Sequence, residues 1–222
     1  MSRDSAVLEM LFAPALDAAP RLLGAVFRAG DVAVRITEVE AYQGQGDDPG
    51  SHAHRGRTAR NGSLWAEPGT VYVYLSYGIH RCVNLVCGPE GYAFGVLLRA
   101  GEIVDGLDVA RRRRPTSTRD ADLARGPGRL GTALAIDLGD DGARLGAGRF
   151  SLERASSGDE SVRTVRRGPR VGVSGVAGGA EFSWRFWLDD DPTVSPYRAA
   201  VSKRRRPSGD RAGGASAGTV AE

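Results

Sequence analysis

Lysine is almost missing from this chain of 222 residues. Thirty residues are Lys or Arg, and Lys203 is the only lysine. Chemistry that needs a lysine amine as nucleophile is therefore disfavoured. Cysteine is scarce too: Cys82 and Cys87 are the whole supply. Two thiols make no disulfide framework, and with three histidines no zinc site is expected, nor any other metal or cofactor. No apolar run approaches the roughly 20 residues of a membrane span. The N-terminus carries Asp4, Glu9 and Asp17 among its apolar residues, a poor secretory leader, so the expectation is a cytoplasmic protein away from membranes. Excess charge is also small, at +3, and its placement is uneven. From Ala199 onward Lys203, Arg204, Arg205, Arg206 and Arg211 face only Asp210 and Glu222, which accounts for all of it. The rest is formally neutral, so a nucleic-acid face would have to come from local clusters. Two qualify, Arg111 to Arg114 and the group Arg163, Arg166, Arg167, Arg170; each is equally readable as solvated surface.

What is present is a globular composition, 41% hydrophobic and 26% charged, in a length suited to one domain. Residues 1–198 read as that domain and 199–222, rich in Arg, Gly, Ser and Ala, as a disordered basic tail. Asp17 to Gly24 predicts a short helix with Pro20 in its first turn and Gly24 as its stop. Asp31 to Tyr42 predicts a strand whose buried stripe, Val32, Val34 and Ile36, continues into Glu38 and Glu40. Gln43 to Asn61 is a loop long enough to suggest a functional role. Gly69 to Tyr77 predicts a strand with Val71, Val73 and Leu75 on one face and Tyr72 and Tyr74 on the other. Cys82 to Val86 and Gly95 to Arg99 predict a hairpin through Gly88-Pro89-Glu90-Gly91. Leu107 to Arg114 and Pro127 to Ile136 predict helices; Arg170 to Val173 and Phe182 to Leu188 predict closing strands. The fold class is α+β, one mixed domain with a largely antiparallel sheet.

Acidic residues disfavour strands, and Glu is seldom buried without a partner. A glutamate continuing a buried stripe is thus either a general base or one half of a salt bridge with one of the many arginines. Around it in sequence stand Tyr42, His52, His54, Tyr72, Tyr74 and Tyr77, flat rings able to clamp a planar ligand or simply to fill the core.

Seven ordered blocks carry a resemblance: Glu38-Val39-Glu40-Ala41-Tyr42; Ser51-His52 with Arg60-Asn61; Pro68 through Gly78; Cys82-Val83-Asn84; Val96 through Ala100; Gly126 through Leu130; and Arg170 through Val173. From about Arg21 to about Tyr197 the chain resembles the alkyladenine (3-methyladenine) DNA glycosylase family, in its bacterial form. The resemblance implies a curved sheet with a protruding β-hairpin for DNA intercalation, and a monomer acting on double-stranded DNA that contains damaged purines, at the nucleoid. It implies Glu40 as the base that deprotonates a water and Arg99 as a holder of that water. Tyr42 and His52 would stack on one face of a flipped base and Tyr74 on the other. Tyr77 would be the wedge in the minor groove, and Asn84 would exclude the guanine amino group. His80 departs from the aromatic Tyr of many relatives, which bears on the outer contacts of the pocket. The implied reaction is monofunctional base excision leaving an abasic site. A strand-cutting variant would need an amine, and Lys203 lies in the tail. A silent DNA-binding module would need no water-activating pair, and the presence of Glu40, Arg99 and Asn84 together disfavours it.

Overall fold

A computed structural model describes residues 8–154 and 164–200. Among the described residues eight strands form one sheet: β1 (Val26–Ala29), β2 (Val32–Tyr42), β3 (Val71–Ser76), β4 (His80–Cys87), β5 (Phe94–Asp105), β6 (Phe150–Glu153), β7 (Val165–Gly168) and β8 (Arg185–Leu188). The main path runs β3-β4-β5-β2-β1-β6, with β8 joining β2 to β7. Every pairing is antiparallel. Strand β2 is long enough to serve two partners on one edge. Its first half pairs with β1 through Arg35, and Glu38 to Glu40 pair with β8. Helices α1 (Ala15–Arg21), α2 (Leu107–Arg113) and α3 (Pro127–Ala133) complete the α+β domain.

The predicted alternation of β3 is present: Val71 and Val73 enter the main core, while Tyr72 and Tyr74 pack in a smaller cluster with Ala53, Leu64 and Val86. Helix α1 buries Ala15, Ala18 and Ala19. It begins two residues before Asp17, so Pro20 lies beyond the first turn and forgoes one intrahelical hydrogen bond, and Gly24 at φ 84° ends the turn that follows. Helix α3 lies tight on β4. A Cβ at Gly131 would overlap the Arg81 carbonyl, and one at Gly128 would come 2.6 Å from the His80 ring.

Three expectations change. Strand β2 does not keep one face throughout. Its pairing with β5 shifts between Ile36 and Val39, so that Thr37 on β2 and Arg99 on β5 are extra residues in the ladder. An inserted residue reverses which face each later side chain takes. Val39 and Ala41 accordingly rejoin the core of Val32, Val34 and Ile36, and Glu40 turns to the opposite face. Next, Arg170 to Val173 form no strand. Gly172 sits at φ 71°, and the Arg170 side chain is drawn into the interior. Arg170 also leaves the proposed surface cluster, being fully buried against Asp48. Its cluster partner Arg163 and the tail residues 201–222 lie outside the described residues.

Candidate active site

Directly paired residues on neighbouring strands point to the same side of a sheet. One such row crosses the molecule: Tyr72 opposite Asn84, Asn84 opposite Leu97, Leu97 opposite Glu40, and Glu40 opposite Arg185. Tyr74 and Cys82 form the adjacent pair on β3 and β4. This face floors a cleft of about 1100 Å³, at the upper end of the sizes typical of small-ligand sites. Its walls come from the loop carrying Ser51 and His52, from Val171 to Ser174, and from Arg198 to Ala200. Tyr42, His52, Tyr74, Tyr77, Asn84 and Arg99 all line it, so six of the seven residues singled out in the sequence meet in one place.

The seventh, Glu40, stands immediately behind the lining with no exposed surface. Its Oε1 accepts from the Val171 backbone N–H at 2.7 Å and its Oε2 from the Tyr42 hydroxyl at 2.9 Å. Arg99 Nη1 approaches Oε2 at 3.3 Å. All three partners line the cleft, so Glu40 is one side chain away from whatever occupies it.

Arg99 is shared. Its Nε donates to Glu38 Oε1 at 2.9 Å. Glu38 also accepts from Arg185 Nε at 2.6 Å, and from the Ser195 hydroxyl and backbone N–H at 3.0 and 2.7 Å. Burial alone would raise the Glu38 pKa. The charges of Arg99 and Arg185, with the Ser195 hydrogen bonds, outweigh it and hold the carboxyl below its usual range. Burial likewise opposes the charge on Arg99, and Glu40 and Glu38 more than reverse it, so that its pKa is raised.

A second buried arginine anchors the wall. Arg170 makes two ion-paired hydrogen bonds to Asp48, at 2.6 and 2.7 Å, and donates to the carbonyls of Ala41 and Ala177. Its guanidinium lies 4.5 Å from the centre of the Tyr42 ring and 5.0 Å from that of Trp184. Arg170 thus braces Tyr42 and fixes the segment that offers the Val171 N–H to Glu40. Asp48 in turn accepts from the backbone of Gln43 and Gly50, just before His52. Neither Asp48 nor this use of Arg170 is legible in the sequence, where Arg170 is one arginine among many. Tyr72 was readable as pocket-facing from its alternation with Val71 and Val73.

His52 Nδ1 hydrogen-bonds the Tyr72 hydroxyl at 2.9 Å. Its ring meets Tyr74 edge to face, with centroids 4.5 Å apart. A base sandwiched between two rings needs about 7 Å between them, twice an aromatic contact. His52 and Tyr74 therefore touch each other rather than frame an open slot. Desolvation, and to a lesser degree Arg60, lower the His52 pKa, so the ring is neutral at pH 7. Burial raises the pKa of Tyr42, Tyr72 and Tyr74, which stay protonated phenols. Asn84 is buried, and its Nδ2 donates to the Tyr72 carbonyl at 3.1 Å, which sets the orientation of the amide.

At the outer end of the cleft, β3 and β4 are joined by Tyr77-Gly78-Ile79. Tyr77 has φ 51° and is 86% exposed; Ile79 is 68% exposed. A left-handed conformation costs a non-glycine residue about 1–2 kcal/mol. Two large side chains are thus held in solvent at this tip. His80 lines the cleft beside Gly128. The cluster at Arg111 to Arg114 is largely engaged internally: Arg111 pairs with Asp108 and Asp120, Arg113 bonds the Ala133 carbonyl, and Arg114 the Ser117 hydroxyl. Arg166 pairs with Asp189. Arg55, Arg57 and Arg60, which follow His52 in the chain, are exposed, and Arg198 is an exposed arginine that lines the cleft.

Among the described residues no group of His, Cys, Asp and Glu has the arrangement of a metal site, and no helix is long and apolar enough to cross a membrane. Residues 9–192 match the sequence model of the Methylpurine-DNA glycosylase family. A Streptomyces avermitilis protein named "Putative 3-methyladenine DNA glycosylase" is 53% identical over 203 residues, covering 89% of this chain and 94% of that protein. Relatives of the same name are similar in Leifsonia xyli, 52% identical over 198 residues (86% of this chain, 91% of the relative), and in Nocardia farcinica, 55% identical over 187 residues (82% and 86%).

Proposed function

The chain belongs to the Methylpurine-DNA glycosylase family, DNA-acting hydrolases of N-glycosyl bonds, and we propose that it flips an alkylated purine from duplex DNA into the cleft and hydrolyses its bond to the sugar with Glu40 as base. One observation carries the assignment: the buried Glu40 carboxylate is hydrogen-bonded to Tyr42 and Val171 and paired with Arg99, all three of them lining the cleft.

Cleavage of a glycosidic bond passes through an oxocarbenium-like state in which C1′ is positive. The Glu40 carboxylate lowers the energy of that charge. As the bond to the purine breaks, its electron pair goes to the base nitrogen. A water oxygen bonds C1′, and Glu40 takes the water's proton. An N-alkylated purine is already cationic, so it departs neutral with little acid help. For a water to reach Glu40, one of its three partners gives way; the Arg99 contact, at 3.3 Å, is the longest. Arg99 is thereby placed to hold the water it admits.

Tyr42, braced by Arg170, and Tyr74 supply electron-rich faces to a cationic ring, and neutral His52 adds no opposing charge. His52 swings from the Tyr74 ring as the base enters. Tyr77, displayed at the β3–β4 tip, fills the vacated stack. Asn84, held by the Tyr72 carbonyl on the floor, excludes a guanine amino group. The product is an abasic site, and the enzyme acts as a monomer on nucleoid DNA. A duplex oligonucleotide with one alkylated purine tests the reading. Base release without strand cleavage until hot alkali is expected. Retention of the base by wild-type protein overturns it, and cleavage without alkali overturns the monofunctional reaction.

A further inference from the structure

Glu38 touches neither the cleft nor the reacting atoms as proposed, yet it is heavily engaged just behind them. It is fully buried and binds Arg99, Arg185 and Ser195 at 2.6–3.0 Å. With Glu40 it makes a buried set of two carboxylates and two guanidiniums, formally neutral. We infer that Glu38 is a positioning residue: it grips Arg99 by its Nε edge so that Nη1 faces Glu40, and it balances the second guanidinium, so that Arg185 is paired to Glu38 rather than to Glu40. This rests on the reading of Glu40 as base.

The local backbone supports the assignment. Arg99 is the extra residue on β5, and Thr37, next to Glu38, is the extra one on β2. Without those two bulges Glu38 and Glu40 would share the face of Val32 to Ile36, away from the cleft. Thr37 is pinned through its hydroxyl to Thr193 at 2.8 Å, and Thr193 to Asp191. Segment 191–195 thereby holds the bulge and delivers Ser195 to Glu38.

The groups acting on Glu40 are Arg99 from β5, Tyr42 and Glu38 from β2, Arg185 from β8, the Val171 backbone N–H with the Arg170–Asp48 pair beside it, and the neutral Tyr74 and Cys82 from β3 and β4. In Glu38→Gln two guanidiniums answer to Glu40 alone, making it a weaker base. Arg185→Gln does the reverse.

The test uses full-length protein and duplex DNA bearing a cationic 3-alkyladenine, whose departure needs no added proton. Single-turnover excision is followed against pH. Glu38→Gln is expected to slow excision about tenfold and to move the acid limb to lower pH, with lesion affinity unchanged. Arg185→Gln is expected to move the limb to higher pH, and the double variant to bring it back. Thr193→Val loosens the segment without altering charge and should leave the acid limb where it is, whatever it costs in rate and thermal stability. A folded Glu38→Gln with the wild-type limb overturns the inference, as does a shift of the same sign in Arg185→Gln. Should Glu38→Gln fail to fold, Arg185→Gln decides the sign by itself. Absence of base release by the wild type instead overturns the proposed function.

Discussion

The Tyr42 hydroxyl donates to Glu40 Oε2 at 2.9 Å, so the ring proposed to stack on the base and the carboxylate proposed to activate water form one hydrogen-bonded unit. Glu40→Gln keeps the shape and loses the proton acceptor. Excision should fall roughly a thousandfold, with binding to lesion DNA kept. Glu38→Gln should cost far less. A dead Glu38→Gln beside a normal Glu40→Gln would reverse the assignment.

Tyr77 is held at φ 51° and displayed to solvent, which fits a wedge better than a core residue. Tyr77→Ala should weaken lesion binding and slow excision in duplex DNA by about tenfold or more, since flipping costs a few kcal/mol. On single-stranded substrate, with no stack to fill, the loss should shrink. Equal losses on both substrates would count against the wedge.

Asn84→Ala or Asn84→Ser opens the pocket floor beside Leu97 and Tyr72. Release of guanine, normal or alkylated, should rise relative to adenine products. Quantifying the released bases by chromatography checks this, and an unchanged ratio removes Asn84 from the specificity determinants.

His52 titrates below the usual imidazole range because it is desolvated, with Arg60 adding to the effect. A depressed folded-state pKa means that, as pH falls below about 6.5, the unfolded chain gains the proton first and stability declines. As the folded-state ring then protonates, it repels a cationic base. Affinity for a cationic purine lesion should therefore drop toward acid pH more than affinity for neutral hypoxanthine. His52→Gln should erase the difference; persistence of it in that variant would place the titrating group elsewhere.

Ala199 and Ala200, which composition groups with the tail, line the cleft. The informative truncation therefore starts at 201 and removes five cations and two anions. Nonspecific DNA affinity should fall, and the slope of log K against log salt should flatten by roughly 0.9 for each phosphate that is no longer neutralised. Single-turnover excision at saturating enzyme should hold. A large loss of that rate would mean that the tail completes the site.

Much was legible because it is local. The tyrosine–valine alternation of β3 states directly which side chains face the cleft, and Pro127, Leu130 and Leu134 announce α3 within about two turns. The seven ordered blocks identify the family, and six of their seven site residues converge on one cleft. Strands β1, β6 and β7 went unread, being four residues each and without an alternation long enough to stand out.

The chain by itself determines which residue types are available, which faces of its regular elements are apolar and which chemistry is out of reach, with one lysine and two cysteines. Those properties are written in neighbouring residues and in side-chain periods of 2 or 3.6. The tertiary structure alone decides where Glu38 and Glu40 point. A phase change at Thr37 and Arg99 depends on how two strands 61 residues apart fit together. It alone also brings Arg170 to Asp48 across 122 residues and Val171 to Glu40 across 131. A buried charge must find its partner wherever the chain can deliver one, and no local pattern records where that will be.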